Sequence, residues 1–352
     1  MTEIEIEKKI LELRSELKTD RLDMSFGEIM NIYTDGDLII TPEYQRAYRW
    51  KDEQKTRFIE SILLGIPIPP IFVAEDNDSK WELVDGLQRI STILSFFGIL
   101  KNDIARKNFF SLTETELTKN YLKDIDINHL SNKLKLTIKR AVCRVEILRW
   151  DSKFDMRYEL FNRLNTGASP LEQQEIRNCV FTGELNNLLH KLAQYDNFIK
   201  IIHPSEKQKE EMFLEEMVLR YFAVITKYKE LYITKDIKSY LTSFMKDITN
   251  DNIEFNYNKE EKRFYEIIDY LSNFPKPFRG KNGAFSASIY ETIMYASSIY
   301  LGNNANTNIT KFKDLKYKLL EDNDFQKYSG FETNQKERLK KKIHRVEDIF
   351  ND

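Results

Sequence analysis

The sequence is poor in glycine and proline, with 11 and 8 respectively in 352 residues, less than half the usual combined share of about 12%. Tight turns are therefore few, an all-β sandwich is disfavoured, and long helices are expected. Cysteine is scarcer still. Cys143 and Cys179 can neither build a disulfide framework nor complete a cysteine zinc site, which favours a reducing compartment and argues against redox catalysis. The four histidines, His129, His190, His203 and His344, lie far apart, with no His-x-x-His or H-E-x-x-H spacing. There is no G-x-x-x-x-G-K-[ST] loop, so a P-loop nucleoside triphosphatase is excluded. No apolar run is long enough to span a membrane, and Met1 to Leu17 alternates charged and apolar residues instead of forming a signal peptide's apolar stretch. A cytoplasmic protein without a membrane partner is expected. Net charge is missing too, because 54 Lys and Arg face 56 Asp and Glu. Such a chain does not coat nucleic acid by bulk electrostatics, so any polyanion site must be focal.

What is present is a 41% hydrophobic content, enough for one large or two medium domains. Ile4, Ile6, Ile10, Leu13 and Leu17 recur at roughly helical spacing and predict an exposed arm over residues 1–24. A helix capped by Ser25, with Glu28 at capping-box spacing, should follow. Leu38 to Thr41 reads as a strand, Asp52 as the cap of a helix stopped by Gly65 and Pro67, and Ile71–Ala74 and Trp81–Val84 as two strands of one sheet. Asp85-Gly86 then turns into a helix carrying Leu87, Ile90, Ile93, Leu94 and Phe97. Ala141 to Leu148 alternates like a half-buried strand, and Lys153 to Leu164 like a helix. Ser169 and Pro170 mark the start of another helix, with Glu172 completing a capping box. Past residue 182 only helical stripes remain. The fold class is therefore α+β, with an N-terminal arm over 1–24, a mixed-sheet domain over 25–182 and a helical domain over 183–352.

Three segments carry candidate chemistry. In Asp85-Gly86-Leu87-Gln88-Arg89 a strand hands over to a helix. Glycine there lets backbone approach a ligand, and the orphan amides of the helix start attract an anion. Arg89 suits a phosphate, Gln88 could orient a water, and Asp85 could hold a divalent metal or accept a proton. The same residues also suit an ordinary Asp-Gly turn. Tyr44, Gln45, Arg46, Tyr48, Arg49 and Trp50 mix rings and guanidinium groups as a stacked base with bound phosphates requires; core aromatics with snorkelling arginines give the same pattern. In Arg163-Leu164-Asn165-Thr166-Gly167, helix punctuation accounts for Asn165 and Thr166, while Arg163 and the later Arg177 are harder to place. Two basic runs, including Lys139, Arg140 and Arg144 in one and Lys340, Lys341 and Lys342 in the other, suit either a solvated face or DNA phosphates.

Taken together and in order, these segments resemble the N-terminal domain of GmrSD-type, modification-dependent restriction endonucleases, a family related to the ParB and sulfiredoxin fold. The matching stretches are Pro42 to Arg46 with Trp50, Ser61 to Pro70, Val84 to Arg89, and Phe161 to Gly167 continuing into Gln174 to Asn178. Weaker likeness continues through Glu216 to Arg220 and Lys341 to Phe350. The resemblance implies a ParB/sulfiredoxin-like mixed sheet binding a nucleoside triphosphate (GTP, ATP or CTP) with Mg²⁺, and often hydrolysing it, in bacterial defence against phage or foreign DNA. Asp85, Gln88 and Arg89 would be the catalytic set. Tyr44, Gln45, Arg46, Tyr48, Arg49, Gly86, Arg163, Asn165, Thr166 and Gly167 would line the nucleotide, and Asp85 would take the metal. The family's turn often reads Asp-Gly-Gln-Gln-Arg, and here Leu87 replaces the first glutamine. Sulfiredoxin chemistry needs a cysteine in this turn and is rejected. Full-length members commonly carry an HNH-like nuclease domain, which needs clustered histidines absent here. The expectation is a sensor or regulatory subunit that does not cut DNA alone and works with a separate nuclease or effector. A homo-oligomer is a further expected partner state, and a DNA-binding or DNA-cleaving ParB-like protein is the alternative reading.

Overall fold

The computed structural model describes residues 2–16, 18–40, 48, 50–76, 78–101, 109–149, 154–164, 172–181, 183–227, 236–279, 283–303, 308–329 and 336–350. It divides into two compact units, Met1–Pro170 and Leu171–Asp352. The class is α+β, as expected. The first unit holds a five-stranded mixed sheet, and the elements described in the second are all helices.

The first unit runs α1 (Glu3–Glu16), β1 (Thr19–Ser25), α2 (Phe26–Asp35), β2 (Leu38–Ile39), α3 (Asp52–Leu64), β3 (Ile71–Glu75), β4 (Trp81–Asp85), α4 (Leu87–Phe96), α5 (Asn132–Arg140), β5 (Val142–Leu148) and α6 (Phe154–Leu164). In the sheet the order is β1-β5-β3-β4-β2. Strands β3 and β4 form an antiparallel hairpin, β5 lies parallel to β3, and β2 lies parallel to β4. The alternation in β5 buries Cys143, Val145 and Ile147 as its period requires.

Strand β1 was not foreseen, since all of it but Ser25 lies within the predicted arm, and it is mostly exposed. Its charges nevertheless match β5 across the ladder. Asp23 stands opposite Arg144 and Arg21 opposite Glu146, with ion-pair distances of 3.1 Å and 3.7 Å. Opposite charges facing one another stabilise a strand pair modestly, and charge on an edge strand discourages further pairing.

Helix α2 begins as read, with the Ser25 hydroxyl accepting the Glu28 amide at 3.2 Å. For α3 the cap is Lys51, not Asp52. Gln54 accepts the Lys51 amide at 3.0 Å, and Asp52, already in the helix, pairs with Lys55 at 2.9 Å. Gly65 ends α3 in the left-handed region, where a side chain would be strained.

The second unit runs α7 (Gln173–Val180), α8 (Glu184–Ala193), α9 (Asp196–Ile202), α10 (Glu206–Glu210), α11 (Phe213–Ile225), α12 (Ile237–Thr249), α13 (Tyr257–Leu271), α14 (Ala287–Asn303), α15 (Ile309–Glu321), α16 (Asn323–Ser329) and α17 (Lys336–Phe350). Helix α7 starts at Gln173, its first amides satisfied by Glu172 and Glu175. Ser169 and Pro170, the predicted start, lie outside the described residues. Aromatic rings dominate this core. Phe198, Tyr221, Phe222 and Phe264 form edge-on and tilted contacts at centroid distances of 5.2–6.4 Å, a geometry in which ring edges meet ring faces.

Candidate functional site

The turn after β4 is built by backbone geometry before any side chain is considered. Gly86 has φ of 100° and caps α4 from the left-handed region, and a Cβ placed on it would lie 2.5 Å from Cγ2 of Ile71 at the start of β3. Two constraints therefore select glycine, one conformational and one of space. Leu87, Ile90, Ile93 and Leu94 are buried beneath the turn. The inward direction of Leu87 explains why an apolar residue is tolerated where the resembling family often has glutamine.

Arg89 is the hub of the site. Its Nη2 donates to Asp85 Oδ2 at 2.6 Å, and its Nη1 donates to the carbonyls of Pro69 at 2.5 Å and Pro70 at 2.9 Å. One guanidinium thus ties the end of β4 to the segment entering β3. Charge-assisted contacts of this kind are the strongest of the ordinary hydrogen bonds. The Asp85 side chain remains 41% exposed, so this carboxylate still faces solvent.

Gln88 joins two segments that are remote in sequence. Its Oε1 accepts the backbone amide of Trp50 at 3.0 Å. Nearby, the Tyr48 hydroxyl lies 3.5 Å from the Thr92 hydroxyl. Tyr48 is 1% exposed, with the Lys55 ammonium 5.2 Å from its ring centre. Burial pushes the Tyr48 phenol above its ordinary pKa, against smaller opposing effects of hydrogen bonds to Thr92 and Ser95, so it stays a neutral hydrogen-bonding group. Its ring is a packed wall and does not present an open stacking face.

Cys143 lies on β5, and burial pushes its thiol up as well, partly countered by the positive charge of Arg89. A thiol held protonated is a poor nucleophile.

The remaining sequence candidates separate clearly. Tyr44, Gln45, Arg46, Arg49, Asn165, Thr166 and Gly167 lie outside the described residues. Arg163 is exposed on α6 and pairs with Glu159 on the same helix at 2.8 Å. Lys139 and Arg140 are exposed at the end of α5, and Lys139 Nζ sits 5.5 Å from the Phe97 ring centre. Arg144, read as a DNA contact, is engaged by Asp23 across the sheet. On α17, Lys340 and Lys341 are exposed.

Lys342 needs correction. It is 1% exposed and donates to Ser288 at 2.7 Å, with Glu291 at 3.5 Å, so in this fold it faces the core and not a DNA backbone. The clue lay in the helical period, because position 342 falls on the same face as the buried Leu339, Ile343 and Val346.

The sequence reading also missed the network to which Lys342 belongs. Arg177 on α7 donates to Gln174 and Glu216 at 2.8 Å each. Glu216 also accepts from Arg220 at 2.8 Å and 3.0 Å, and Arg220 donates to Glu291 at 2.6 Å. Burial alone would raise the Glu216 pKa, but the positive charges of Arg220 and Arg177 overcome it and hold the carboxyl below its usual range. A legible signal existed: Glu216, Arg220 and Glu291 interrupt otherwise apolar helix faces, and buried charges are normally paired.

Among the described residues no group of three or more His, Cys, Asp or Glu could hold a metal ion. Asp85 therefore offers one carboxylate at the turn. That fits Mg²⁺, which commonly uses one or two carboxylates, substrate phosphates and several waters. No helix among the described residues is long and apolar enough to cross a membrane.

Residues 26–182 match the family model described as "GmrSD restriction endonuclease, N-terminal domain". The match starts at α2 and ends just beyond α7, so it includes the Gly86 turn and leaves out β1 and most of the helical unit. No curated protein and no solved structure matches the chain.

Proposed function

We propose, from the membership of residues 26–182 in the GmrSD restriction endonuclease N-terminal domain family, that this restriction-related protein is a nucleoside-triphosphate-binding sensor. It would serve a bacterial antiphage or modification-dependent restriction system and act through a separate effector. The observation that carries this reading is the Gly86 turn, where a left-handed glycine opens α4 beside a guanidinium held in place by two proline carbonyls.

The chemistry follows from that arrangement. The start of α4 favours an anion through its amides and its dipole. Arg89 Nη2 already holds one anion, the Asp85 carboxylate. A phosphate at the turn competes for Nη2 while Nη1 keeps the Pro69 and Pro70 carbonyls, so the guanidinium pivots little. Asp85 then becomes the side chain that would hold Mg²⁺, whose role is to neutralise phosphate charge. Gln88 is engaged at the same turn by the Trp50 amide.

Titration with GTP, ATP and CTP in the presence of Mg²⁺ tests the reading. Saturable binding of at least one nucleotide, weakened about ten-fold or more in Arg89→Ala, is expected from loss of a charge-assisted contact. Absence of binding, or equal binding by the variant, refutes it. Hydrolysis is tested separately, as phosphate release that Asp85→Asn reduces.

A DNA-contact reading is favoured by the exposure of Lys139 and Arg140 at the end of α5. It requires an affinity that falls steeply with salt, and a flat salt dependence removes it.

A further inference from the structure

The helical unit contains a second concave site, separate from the Gly86 turn and unrelated to any motif above. At the end of α9 and in the loop after α13, a cavity of about 350 Å³ is lined by Lys200, His203 and Lys276, with Ile201, Phe274 and Pro275 as its apolar surface. Among the described residues none forms an ion pair or hydrogen bond with the side chains of these three basic residues. No carboxylate lines the cavity. The nearby Asp269 is already held by the Tyr195 hydroxyl and the Asn197 amide.

Backbone conformation adds an independent observation. His203 has φ of 54° and Lys276 has φ of 50°, the left-handed region in which glycine or asparagine is favoured. Both residues line the cavity; His203 is the left-handed cap that closes α9, whereas Lys276 holds that conformation outside a helix end.

The ordinary explanation is that cations sit at helix C-termini to offset the dipole. It covers part of the charge only. Two helix ends contribute about half a negative charge each, against two full lysine charges and an imidazole N–H donor. With the Asp269 carboxylate counted the nearby charges come close to balance; what dipole compensation leaves unexplained is a lining that carries three basic side chains and an apolar wall but no carboxylate.

We propose that this cavity binds a small phosphate-bearing ligand. The phosphate lies among Lys200, His203 and Lys276, and the carbon skeleton lies on Ile201, Phe274 and Pro275. The volume is at the lower end of the range for small-molecule sites, roughly 300–1,000 Å³, which suits a mononucleotide or sugar phosphate and excludes a duplex. The same chemistry is presented by a free phosphomonoester or by the terminal phosphate of a nucleic-acid strand.

Isothermal titration of the full chain with inorganic phosphate, with AMP and with a short 5′-phosphorylated oligonucleotide tests the site. Saturable binding of AMP is expected, lowered about ten-fold or more in the double variant Lys200→Ala, Lys276→Gly, on the scale of a lost charge-assisted contact. The Arg89→Ala variant should retain it, which separates this cavity from the Gly86 turn. Lys276→Gly alone is the folding control, since glycine relieves the left-handed strain and should leave the melting temperature unchanged or higher. Failure of all three probes to bind overturns the proposal. So does unchanged affinity in Lys276→Gly and in the double variant, or a loss of binding confined to Arg89→Ala. Tighter binding of AMP than of the oligonucleotide identifies a free phosphomonoester as the ligand, and the reverse order identifies a strand end.

Discussion

Arg163 in the sheet unit and Arg177 in the helical unit are the same residue type in helices that are consecutive along the chain, yet their surroundings differ completely. Arg163 is 75% exposed and meets Glu159 on its own helix, whereas Arg177 is fully buried and reaches Glu216 on α11. The contrast extends to the units themselves. In the described ion pairs of the sheet unit at least one partner is exposed, as with Asp23 and Arg144 or with Arg149 beside the buried Glu75. In the helical unit, a chain of charges runs through the interior from Arg177 to Lys342. An exposed pair is screened by water and contributes little. A buried pair offers no certain net stability either, but removing one partner leaves the other charge stranded.

The largest expected effect is at Glu291. Glu291→Ala removes one carboxylate partner of Arg220, which keeps Glu216, and the carboxylate partner of Lys342, which keeps only the Ser288 hydroxyl, and should destabilise the protein by about 3 kcal/mol, measured by urea denaturation. A loss as small as that of a surface variant would erase the contrast between the units.

Next comes Gly86→Ala. The added Cβ meets Ile71 and the φ of 100° disfavours any side chain, so a loss of about 1–3 kcal/mol is expected, together with weakened nucleotide binding. A variant as stable as the parent would show that the turn is not tightly held.

Acid titration sharpens the comparison in a different way. The Glu216 pKa is lower in the folded protein than its unfolded value of about 4.5. The stability this carboxylate contributes is therefore present above that value and is lost as pH falls through the folded one. Urea midpoints measured against pH should drop on the acid side, and Glu216→Gln should flatten that slope even though it lowers stability at neutral pH.

The smallest effect belongs to Arg163→Ala, about 0.5 kcal/mol or less for an exposed pair on one helix. Should it match Glu291→Ala, exposure would be the wrong guide to the importance of these charges.

Much of the sheet unit was legible because its signals are local. Alternation placed β5, Ser25 marked the start of α2, and the Asp85-Gly86 dipeptide marked the turn between β4 and α4. Strand β1 was not legible, because its charged residues resemble an exposed arm until Arg144 and Glu146 of β5 are placed opposite them. At the turn, the residue types suggested phosphate chemistry. The present partners of those residues were invisible, since the Arg89 contacts with Pro69 and Pro70 span about twenty positions, and the Gln88 contact with Trp50 spans 38.

In the basic run on α17 only Lys342 departs from the reading: Lys340 and Lys341 are exposed, while the apolar stripe of Leu339, Ile343 and Val346 includes position 342. Charge counts average over a helix, and burial acts face by face.

By itself the sequence determined the α+β class, the resemblance to the GmrSD N-terminal domain and the place of the Gly86 turn, because short-range periodicity and glycine conformation are properties of neighbouring residues. Only the tertiary structure decided which charges are buried, how Arg89 and Gln88 are employed, and which basic residues gather around the cavity in the helical unit. Those outcomes depend on contacts between residues distant along the chain, where packing and desolvation set the energy of a charge and its identity alone does not.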